Sequence, residues 1–216
     1  MQKKCLPAGI YCITAEEFSR GRKNIEVVRE MIRGGASVIQ YREKENKTIR
    51  EKYLECLEIR KMTRDAGVLF LVNDAIDIAI LTEADGVHAG QDDLPLTEIR
   101  KLIGPDFIIG LSTHSPQQAQ QAMKDGADYI GIGPIFKTVT KKNVCEPVGL
   151  EYLDYTVQNI RLPFVAIGGI KSNNIKEVIR RGAKTVSLVT EITEAGDIAG
   201  MVRKLREMIN PEGINE

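Results

Sequence analysis

Short apolar runs, rich in β-branched residues, recur along the whole chain and constrain its fold more than any other feature of the sequence. Runs that are apolar throughout, rather than alternately apolar and polar, are typical of parallel strands covered on both faces. We count eight such runs, at residues 10–13, 38–40, 69–72, 86–88, 107–111, 129–132, 164–167 and 185–189. The sequence therefore predicts eight buried parallel strands.

The segments between these runs have the periodicity of helices. Residues 24–33 and 51–62 repeat apolar side chains every three to four positions, and residues 116–124 begin with a proline, which suits the first turn of a helix. Glycine precedes three of the runs, at positions 35, 126 and 182, where a left-handed conformation can end a helix before the next strand begins.

A strand–helix unit that is repeated eight times predicts a single (β/α)₈ TIM barrel, with residues 1–216 as one domain. The alternative is an open doubly wound sheet, but the sequence has no Gly-x-Gly-x-x-Gly motif after the first run. In TIM barrels the functional residues lie at the carboxyl ends of the strands. The polar residues that directly follow each apolar run are therefore the candidates for a site.

Composition narrows the class of ligand. Lysine plus arginine and aspartate plus glutamate number 30 each, so no net charge favours nucleic acid or a membrane, and small molecules are the expected partners. Four scattered cysteines and two histidines support neither a thiolate zinc site nor a disulfide framework. The amino-terminal residues are too polar for a signal peptide, and no apolar run reaches membrane-spanning length, which predicts a cytoplasmic protein.

The second run ends in a polar segment with two cations, Gln40-Tyr41-Arg42-Glu43-Lys44. Along an extended chain, alternation sends Gln40, Arg42 and Lys44 to one side and Tyr41 and Glu43 to the other. One face therefore presents an amide and two positive charges at the barrel mouth, which suits an anionic ligand. The alternative is an ordinary charged loop.

Carboxylates follow the third and fourth runs. Asn73-Asp74 follows the third run and Gln91-Asp92-Asp93 the fourth, and neighbouring strands bring Asp74 close to one of the two later aspartates. Without histidine or thiol ligands nearby, such a pair predicts a site for Mg²⁺, which binds carboxylates, water and phosphate oxygens. The alternative is that Asp74 or Asp93 caps the following helix.

Hydroxyls and a lysine follow the sixth run, and glycines follow the seventh. Thr138, Thr140 and Lys141 can donate hydrogen bonds to phosphate without competing negative charge. The pair Gly168-Gly169 lets an anion approach the backbone, and the loops after strands seven and eight often bind phosphate in such barrels. The strand ends thus predict an enzyme with two anionic sites, one for a diphosphate with Mg²⁺ and one for a monophosphate.

The fifth run is followed by Ser112-Thr113-His114-Ser115. Ser115 precedes a proline and is expected to cap the next helix, which leaves Ser112 and His114 as candidate site residues. His88 lies within the fourth run and is assigned to the strand without a functional role.

Taken together, these motifs resemble the thiamine phosphate synthase family. The resemblance rests on segments in the family's order and spacing, at 40–44, 73–74, 84–93, 112–115, 131–141 and 166–170. It implies a Mg²⁺-dependent transfer of the hydroxymethylpyrimidine group from its diphosphate to the nitrogen of thiazole phosphate, or of its carboxylated form. The products would be thiamine phosphate and pyrophosphate, formed by a dissociative mechanism in which pyrophosphate leaves first.

The resemblance also implies a role for each site residue. Asp74 and Asp93 would bind Mg²⁺, and Lys141, Ser112 and Arg42 would act in catalysis. The pyrimidine diphosphate would be bound by Gln40, Tyr41, Arg42, Glu43, Lys44, Asn73, Ser112 and Lys141. The thiazole phosphate would be bound by Thr138, Val139, Thr140, Gly169, Val189 and Thr190. Tyr41 differs from the family's usual residue, and because its side chain points away from substrate we expect consequences for packing only.

Two other functions fit the same barrel. A thiazole tautomerase would need neither diphosphate nor metal, and a non-catalytic regulator would bind thiazole phosphate without turnover. Lys44 and Asp93 favour the synthase, because the tautomerases lack the Gln-x-Asp ending that residues 91–93 form here. For partners, we expect the two phosphorylated small molecules and allow for a homodimer.

Overall fold

Eight parallel strands close into a barrel in sequence order. The computed structural model describes residues 5–43, 47–138, 140 and 145–209. The strands are β1 (Gly9–Ile13), β2 (Val38–Tyr41), β3 (Leu69–Asn73), β4 (Gly86–Ala89), β5 (Ile108–Thr113), β6 (Tyr129–Ile132), β7 (Phe164–Ile167) and β8 (Thr185–Ser187). Pairing of β1 with β8, through Gly9 and Thr185, completes the ring. The predicted (β/α)₈ TIM barrel is confirmed.

Helices surround the barrel and alternate with the strands. They are α1 (Asn24–Arg33), α2 (Ile49–Asp65), α3 (Ile76–Leu81), α4 (Leu96–Ile103), α5 (Pro116–Lys124), α6 (Gly149–Asn159), α7 (Ile175–Arg180), α8 (Val189–Thr193) and α9 (Ile198–Ile209), with a short 3₁₀ helix η1 (Glu16–Phe18). The segments predicted to be helical correspond to α1, α2 and α5. Within the described ranges, no helix is both long and apolar enough to cross a bilayer.

The helix ends follow the chemistry of their residues. Gly35, Gly126 and Gly182 have φ values of 86°, 83° and 104°, a left-handed conformation that glycine adopts without steric cost. Ser115 caps α5, because its side chain accepts a hydrogen bond from the backbone N–H of Gln118 at 3.3 Å. The glycines thus allow the chain to leave α1, α5 and α7 for the next strand, and Ser115 fixes the start of α5.

The core has two layers because side chains alternate along each strand. Residues on the inner face, such as Leu71, Ile108 and Val165, fill the inside of the barrel. Residues on the outer face, such as Phe70 and Ile109, pack against the helices. Each large apolar side chain that is fully buried in this way contributes about 1.5–3 kcal/mol. The two layers hold the strand ends rigidly around the mouth.

The eighth strand is shorter than predicted. The apolar run was expected to stay extended to Val189, but β8 ends at Ser187 and α8 begins at Val189. A short buried run of β-branched residues does not distinguish a strand from the first turn of a buried helix. The consequence is that Val189 and Thr190 lie in a first helical turn, whose N–H groups have no partner within the helix.

Candidate active site

Alternation in β2 divides its polar end between two environments. Gln40 faces the barrel interior, where its side chain donates to the hydroxyl of Tyr11 at 2.6 Å. Tyr41 faces outward, and its hydroxyl donates to the carboxylate of Glu55 on α2 at 2.7 Å. Burial, reinforced by the Glu55 carboxylate, raises the pKa of Tyr41, which keeps the phenol protonated as a donor. The expectation that the Tyr41 side chain affects packing only agrees with this placement.

Glu43 also faces the helical layer. Its carboxylate accepts hydrogen bonds from the Asn24 side chain at 3.0 Å and from the backbone N–H of Glu16 at 3.2 Å. The two-residue period of a strand thus turns the side chains of Tyr41 and Glu43 away from the barrel axis, as predicted from alternation, and their part in binding the pyrimidine diphosphate stays a prediction. Only their backbone groups remain at the mouth.

A chain of buried hydrogen bonds crosses the inside of the barrel. It starts at Gln40, which donates to Tyr11, and continues through the hydroxyls of Tyr11 and Tyr129, which are 2.9 Å apart. The Tyr129 hydroxyl lies 2.8 Å from Nδ1 of His88, and Nε2 of His88 lies 3.0 Å from Oγ of Ser112. This polar chain connects β2, β1, β6, β4 and β5 at one level.

The polar chain has one self-consistent direction. An amide nitrogen can only donate, so Tyr11 accepts from Gln40. The direction that then gives every proton of the chain an acceptor has Tyr11 donating to Tyr129 and Tyr129 donating to Nδ1 of His88. The imidazole then carries its proton on Nε2 and donates to Ser112. Burial raises the pKa of both phenols, so neither loses its proton near neutral pH. The Ser112 hydroxyl is left as a donor that can point to the mouth.

Two glycines make room for this chain. A Cβ atom on Gly110 would lie 2.0 Å from Cζ of Tyr129, so the phenol ring occupies the space of a side chain on β5. A Cβ atom on Gly131 would lie 3.3 Å from Cε1 of His88. Glycine at these two inward positions therefore leaves room for the rings of Tyr129 and His88.

Arg42 leaves β2 at the mouth, and its backbone is fixed to the end of β1. Its N–H donates to Oγ1 of the buried Thr14 at 2.8 Å, and the same hydroxyl lies 3.2 Å from the Arg42 carbonyl oxygen. Within the described part of the chain, the half-buried Arg42 guanidinium forms no ion pair. Lys44, predicted to act beside it, lies outside the described residues.

The candidate Mg²⁺ ligands lie at the ends of β3 and β4. Asp74 adopts a left-handed φ of 59°, and its N–H donates to the carbonyl oxygen of His88 at 3.0 Å. This turn directly follows Asn73, the last residue of β3. Asp93 is exposed, and its Oδ2 accepts the N–H of Gly90 at 2.6 Å, which closes the loop after β4. The Asp93 carboxylate therefore has a structural contact and one further oxygen for a ligand.

Asp74 and Asp93 fit a Mg²⁺ site in which the substrate supplies some of the ligands. Among the described residues, no three histidine, cysteine, aspartate or glutamate side chains converge on one point. Mg²⁺ is normally held by one or two carboxylates and completes its shell with waters and phosphate oxygens. Asp74 and Asp93 are oxygen donors of the right kind and number for such a site.

The loops after β6 and β7 pack directly on each other. The N–H of Ile135 donates to the carbonyl oxygen of Ile167, and that of Phe136 to Gly168, both at 2.9 Å. Gly169 has a φ of 64°, and a Cβ atom there would lie 2.5 Å from the Lys137 carbonyl oxygen. Such contact between backbones requires glycine. It brings the start of the threonine-bearing loop beside the glycine pair, as expected for one shared site.

The two threonines of that loop contact each other. Oγ1 of Thr138 lies 3.2 Å from Oγ1 of Thr140 and also accepts the Thr140 N–H at 3.4 Å. Both side chains are half-buried. The predicted site residues Val139 and Lys141 lie outside the described residues.

The strand order also places the predicted backbone phosphate ligands together. β7 and β8 are neighbours, with Ile167 opposite Ser187. Gly169 and Val189 each follow two residues later on these adjacent segments. Thr190 comes next in the first turn of α8.

His114 is fixed to the end of β6, because its Nδ1 lies 2.5 Å from the carbonyl oxygen of Gly133. This contact gives the histidine a structural partner at the mouth. The hydrogen bond from the Gln91 side chain to the Ser112 carbonyl oxygen, at 2.7 Å, similarly connects the loop after β4 to β5.

Sequence reasoning missed three members of the polar chain. Tyr11, Tyr129 and His88 all lie inside apolar runs, and His88 was left in its strand without a role. The alternation of side chains along each strand could have found them, because all three residues stand at positions that point into the barrel. An inward phenol or imidazole surrounded by apolar residues needs a hydrogen-bond partner across the barrel.

The fold and the mouth define a (β/α)₈-barrel enzyme whose strand ends carry groups for small anionic ligands. Comparison with known proteins narrows this class. The family model of thiamine monophosphate synthase matches residues 10–192. A thiamine-phosphate synthase of Pelotomaculum thermopropionicum is 64% identical over 205 residues, which cover 95% of this chain and 94% of that protein. Another from Lawsonia intracellularis is 54% identical over 204 residues, which cover 94% of each.

Solved structures agree with this relation. A thiamine phosphate pyrophosphorylase from Pyrococcus furiosus has a TM-score of 0.87 and 35% identity, covering 94% of this chain and 96% of that one. The chain therefore belongs to the thiamine monophosphate synthase family, and it is a transferase.

Proposed function

We propose that the protein joins hydroxymethylpyrimidine diphosphate to thiazole phosphate, plain or carboxylated, and so acts as a thiamine phosphate synthase. Besides family membership, one observation carries the proposal: the polar chain from Gln40 to Ser112. An aminopyrimidine presents donors and acceptors along its edge, and the buried chain orients its half-buried end, His88 and Ser112, which can hydrogen-bond to such a polar ligand. A pocket for a purely apolar ligand would have no use for such a chain.

In the proposed reaction, the bond between the pyrimidine methylene carbon and the diphosphate oxygen breaks first, and its electron pair leaves with pyrophosphate. The thiazole nitrogen then donates its lone pair to the methylene carbon, which gives thiamine phosphate directly from the plain thiazole phosphate and with loss of carbon dioxide from the carboxylated form. Both the leaving group and the nucleophile come from the substrates. The protein therefore binds, orients and stabilises charge, and no side chain has to attack carbon.

The diphosphate is proposed to lie between the ends of β2 and β5. Arg42 would bind its negative charge, and the Ser112 hydroxyl, oriented by His88, would donate a hydrogen bond to it. Lys44 and Lys141 would add positive charge. Asp74 and Asp93 would hold Mg²⁺, which when bound supplies positive charge to the leaving group. Asn73, at the end of β3, would bind the pyrimidine together with Gln40.

The thiazole phosphate is proposed to lie across the loops after β6, β7 and β8. Thr138, Val139 and Thr140 would face the thiazole, and their hydroxyl and backbone groups offer donors without negative charge. The backbone of Gly169, Val189 and Thr190 would bind the monophosphate. The hydrogen bonds from Ile135 and Phe136 to Ile167 and Gly168 support this arrangement, since they join the loop after β6 to the loop after β7. A cytoplasmic location and a homodimer remain predictions.

The proposal is tested by incubating the purified protein with both substrates and Mg²⁺ and separating the products by chromatography. We expect thiamine phosphate, and we expect its formation to stop in excess EDTA. Isomerisation of a thiazole phosphate without pyrophosphate release would point to a tautomerase. Binding of thiazole phosphate without any turnover would point to a regulator. Full synthase activity in EDTA would refute the metal assignment while leaving the synthase activity intact.

A further inference from the structure

A single side chain connects the two loops that are proposed to bind the thiazole monophosphate. Oε1 of Glu191, in α8, accepts a hydrogen bond from the backbone N–H of Ser172 at 3.1 Å and from the Ser172 hydroxyl at 2.5 Å. Ser172 belongs to the loop between β7 and α7, three residues after Gly169. Glu191 directly follows Thr190. The contact therefore joins two segments whose backbones would share one phosphate.

The loop after β7 needs such a contact because its two glycines restrict the backbone conformation very little. Gly168 and Gly169 have φ values of 96° and 64°, and glycine is the residue with the greatest backbone freedom. One side of this turn is held by the side chain of Asn174, which donates to the Gly169 carbonyl oxygen at 3.1 Å. Ser172 and Glu191 hold the opposite side against α8.

Glu191 is suited to act through Ser172 rather than on the ligand. A carboxylate repels a phosphate, so a glutamate beside such a ligand requires another reason for its position. Here the two donors of Ser172 converge on one carboxylate oxygen, which makes a charge-assisted pair of hydrogen bonds. Both residues are half-buried, so water competes with these bonds less than on an open surface.

We propose that Glu191 is a positioning residue: it fixes the loop at 168–172 against α8 and so sets the spacing of the backbone groups that bind the thiazole monophosphate. This inference rests on the proposed function of the site. It predicts a defect confined to one substrate, because the polar chain and Arg42 belong to other strands. The KM for thiazole phosphate should change, whereas the KM for the pyrimidine diphosphate should not.

The test compares four variants in steady-state kinetics with both substrates. Glu191→Ala loses both hydrogen bonds and should raise the KM for thiazole phosphate about fivefold to tenfold. Glu191→Gln keeps an acceptor at Oε1 and should return the KM to within about twofold of the wild-type value. Ser172→Ala keeps the backbone bond and should give an intermediate KM. Glu194→Ala changes an exposed carboxylate in the same segment and should have no effect.

Calorimetric titration with thiazole phosphate gives a second readout that does not depend on turnover. The Kd should follow the same order among variants whose circular dichroism matches the wild type. An unchanged KM and Kd in Glu191→Ala, with an active wild-type protein, would overturn the inference. A Gln variant as defective as Ala would also overturn it, since charge and not the hydrogen-bond geometry would then be responsible. A wild-type protein that forms no thiamine phosphate would instead refute the proposed function.

Discussion

Replacing Tyr129 with phenylalanine tests whether the polar chain is a coupled unit. The variant keeps the aromatic ring that packs over Gly110 and removes only the hydroxyl. That hydroxyl lies 2.9 Å from the Tyr11 hydroxyl and 2.8 Å from Nδ1 of His88, and in the direction assigned above it accepts from the first and donates to the second. Its loss leaves the Tyr11 hydroxyl, on a side chain that is only 2% exposed, without an acceptor at that position. The imidazole also loses the donor that sets its tautomer.

The magnitude follows from the burial of each partner left behind. An unsatisfied buried polar group costs about 1–3 kcal/mol, and Tyr11 cannot recover this from water. His88 is half-buried and can regain part of its loss by hydration. We therefore expect Tyr129→Phe to lower the free energy of unfolding by about 1–3 kcal/mol. For a chain of this length each kcal/mol corresponds to a Tm decrease of about 2–4 °C.

The assay is a double-mutant cycle of Tyr11→Phe and Tyr129→Phe, followed by urea denaturation. The mutual hydrogen bond is lost once in the double variant but is counted in both single variants, so the two costs should not add. We expect a coupling energy between about 0.5 and 3 kcal/mol. Because His88 orients Ser112, the Tyr129→Phe variant should also lose about tenfold in kcat/KM for the pyrimidine diphosphate. Additive costs with unchanged kcat/KM would refute the coupled chain.

Three further changes test other parts of the molecule. Asp93→Ala should raise the Mg²⁺ concentration for half-maximal activity by about tenfold or more. If the wild type and the variant respond equally to Mg²⁺, Asp93 has only the structural role of accepting the Gly90 N–H. Gly110→Ala should destabilise the fold by about 1–3 kcal/mol in urea denaturation because its Cβ would meet the Tyr129 ring. Gly196→Ala, which has open space around it and no left-handed φ, is the control for crowding. Burial raises the pKa of the Cys12 and Cys56 thiols. The stability that this shift contributes is fully present below the usual pKa of cysteine, and it is lost as the pH rises towards the pKa of the thiol in the folded protein. The free energy of unfolding should therefore fall above about pH 9, and it should fall less steeply in Cys12→Ala than in the wild type. Equal slopes of this free energy against pH in the two proteins would contradict the explanation.

The repeating pattern of the sequence was sufficient for the architecture. Parallel strands that are covered on both faces must be apolar throughout, so they appear as short apolar runs, and the helices between them retain their own period. The segment 129–132 has the same bounds in sequence and structure. The end of β8 differs from its predicted bound because Val189 is suited to a strand by composition but lies in a helix by tertiary context.

Candidate site residues that follow a strand could be predicted from the sequence, whereas those inside a strand were harder to predict. The barrel rule directs attention to residues after each run, and so to Arg42, Asp74 and the glycine pair, whose roles in binding stay predictions. Tyr11 and Tyr129 were missed, because an inward phenol resembles core packing until its partner on a distant strand is known. That pairing joins residues 118 positions apart, which no local pattern reveals.

The most direct test of the proposed synthase is the stoichiometry of its products over time. The protein would be supplied with pyrimidine diphosphate, thiazole phosphate and Mg²⁺, and thiamine phosphate and pyrophosphate would be quantified in the same samples. We predict that both appear together in equal amounts, and that omission of thiazole phosphate stops thiamine phosphate formation. Formation of neither product, or of pyrophosphate alone when both substrates are present, would contradict the proposed function.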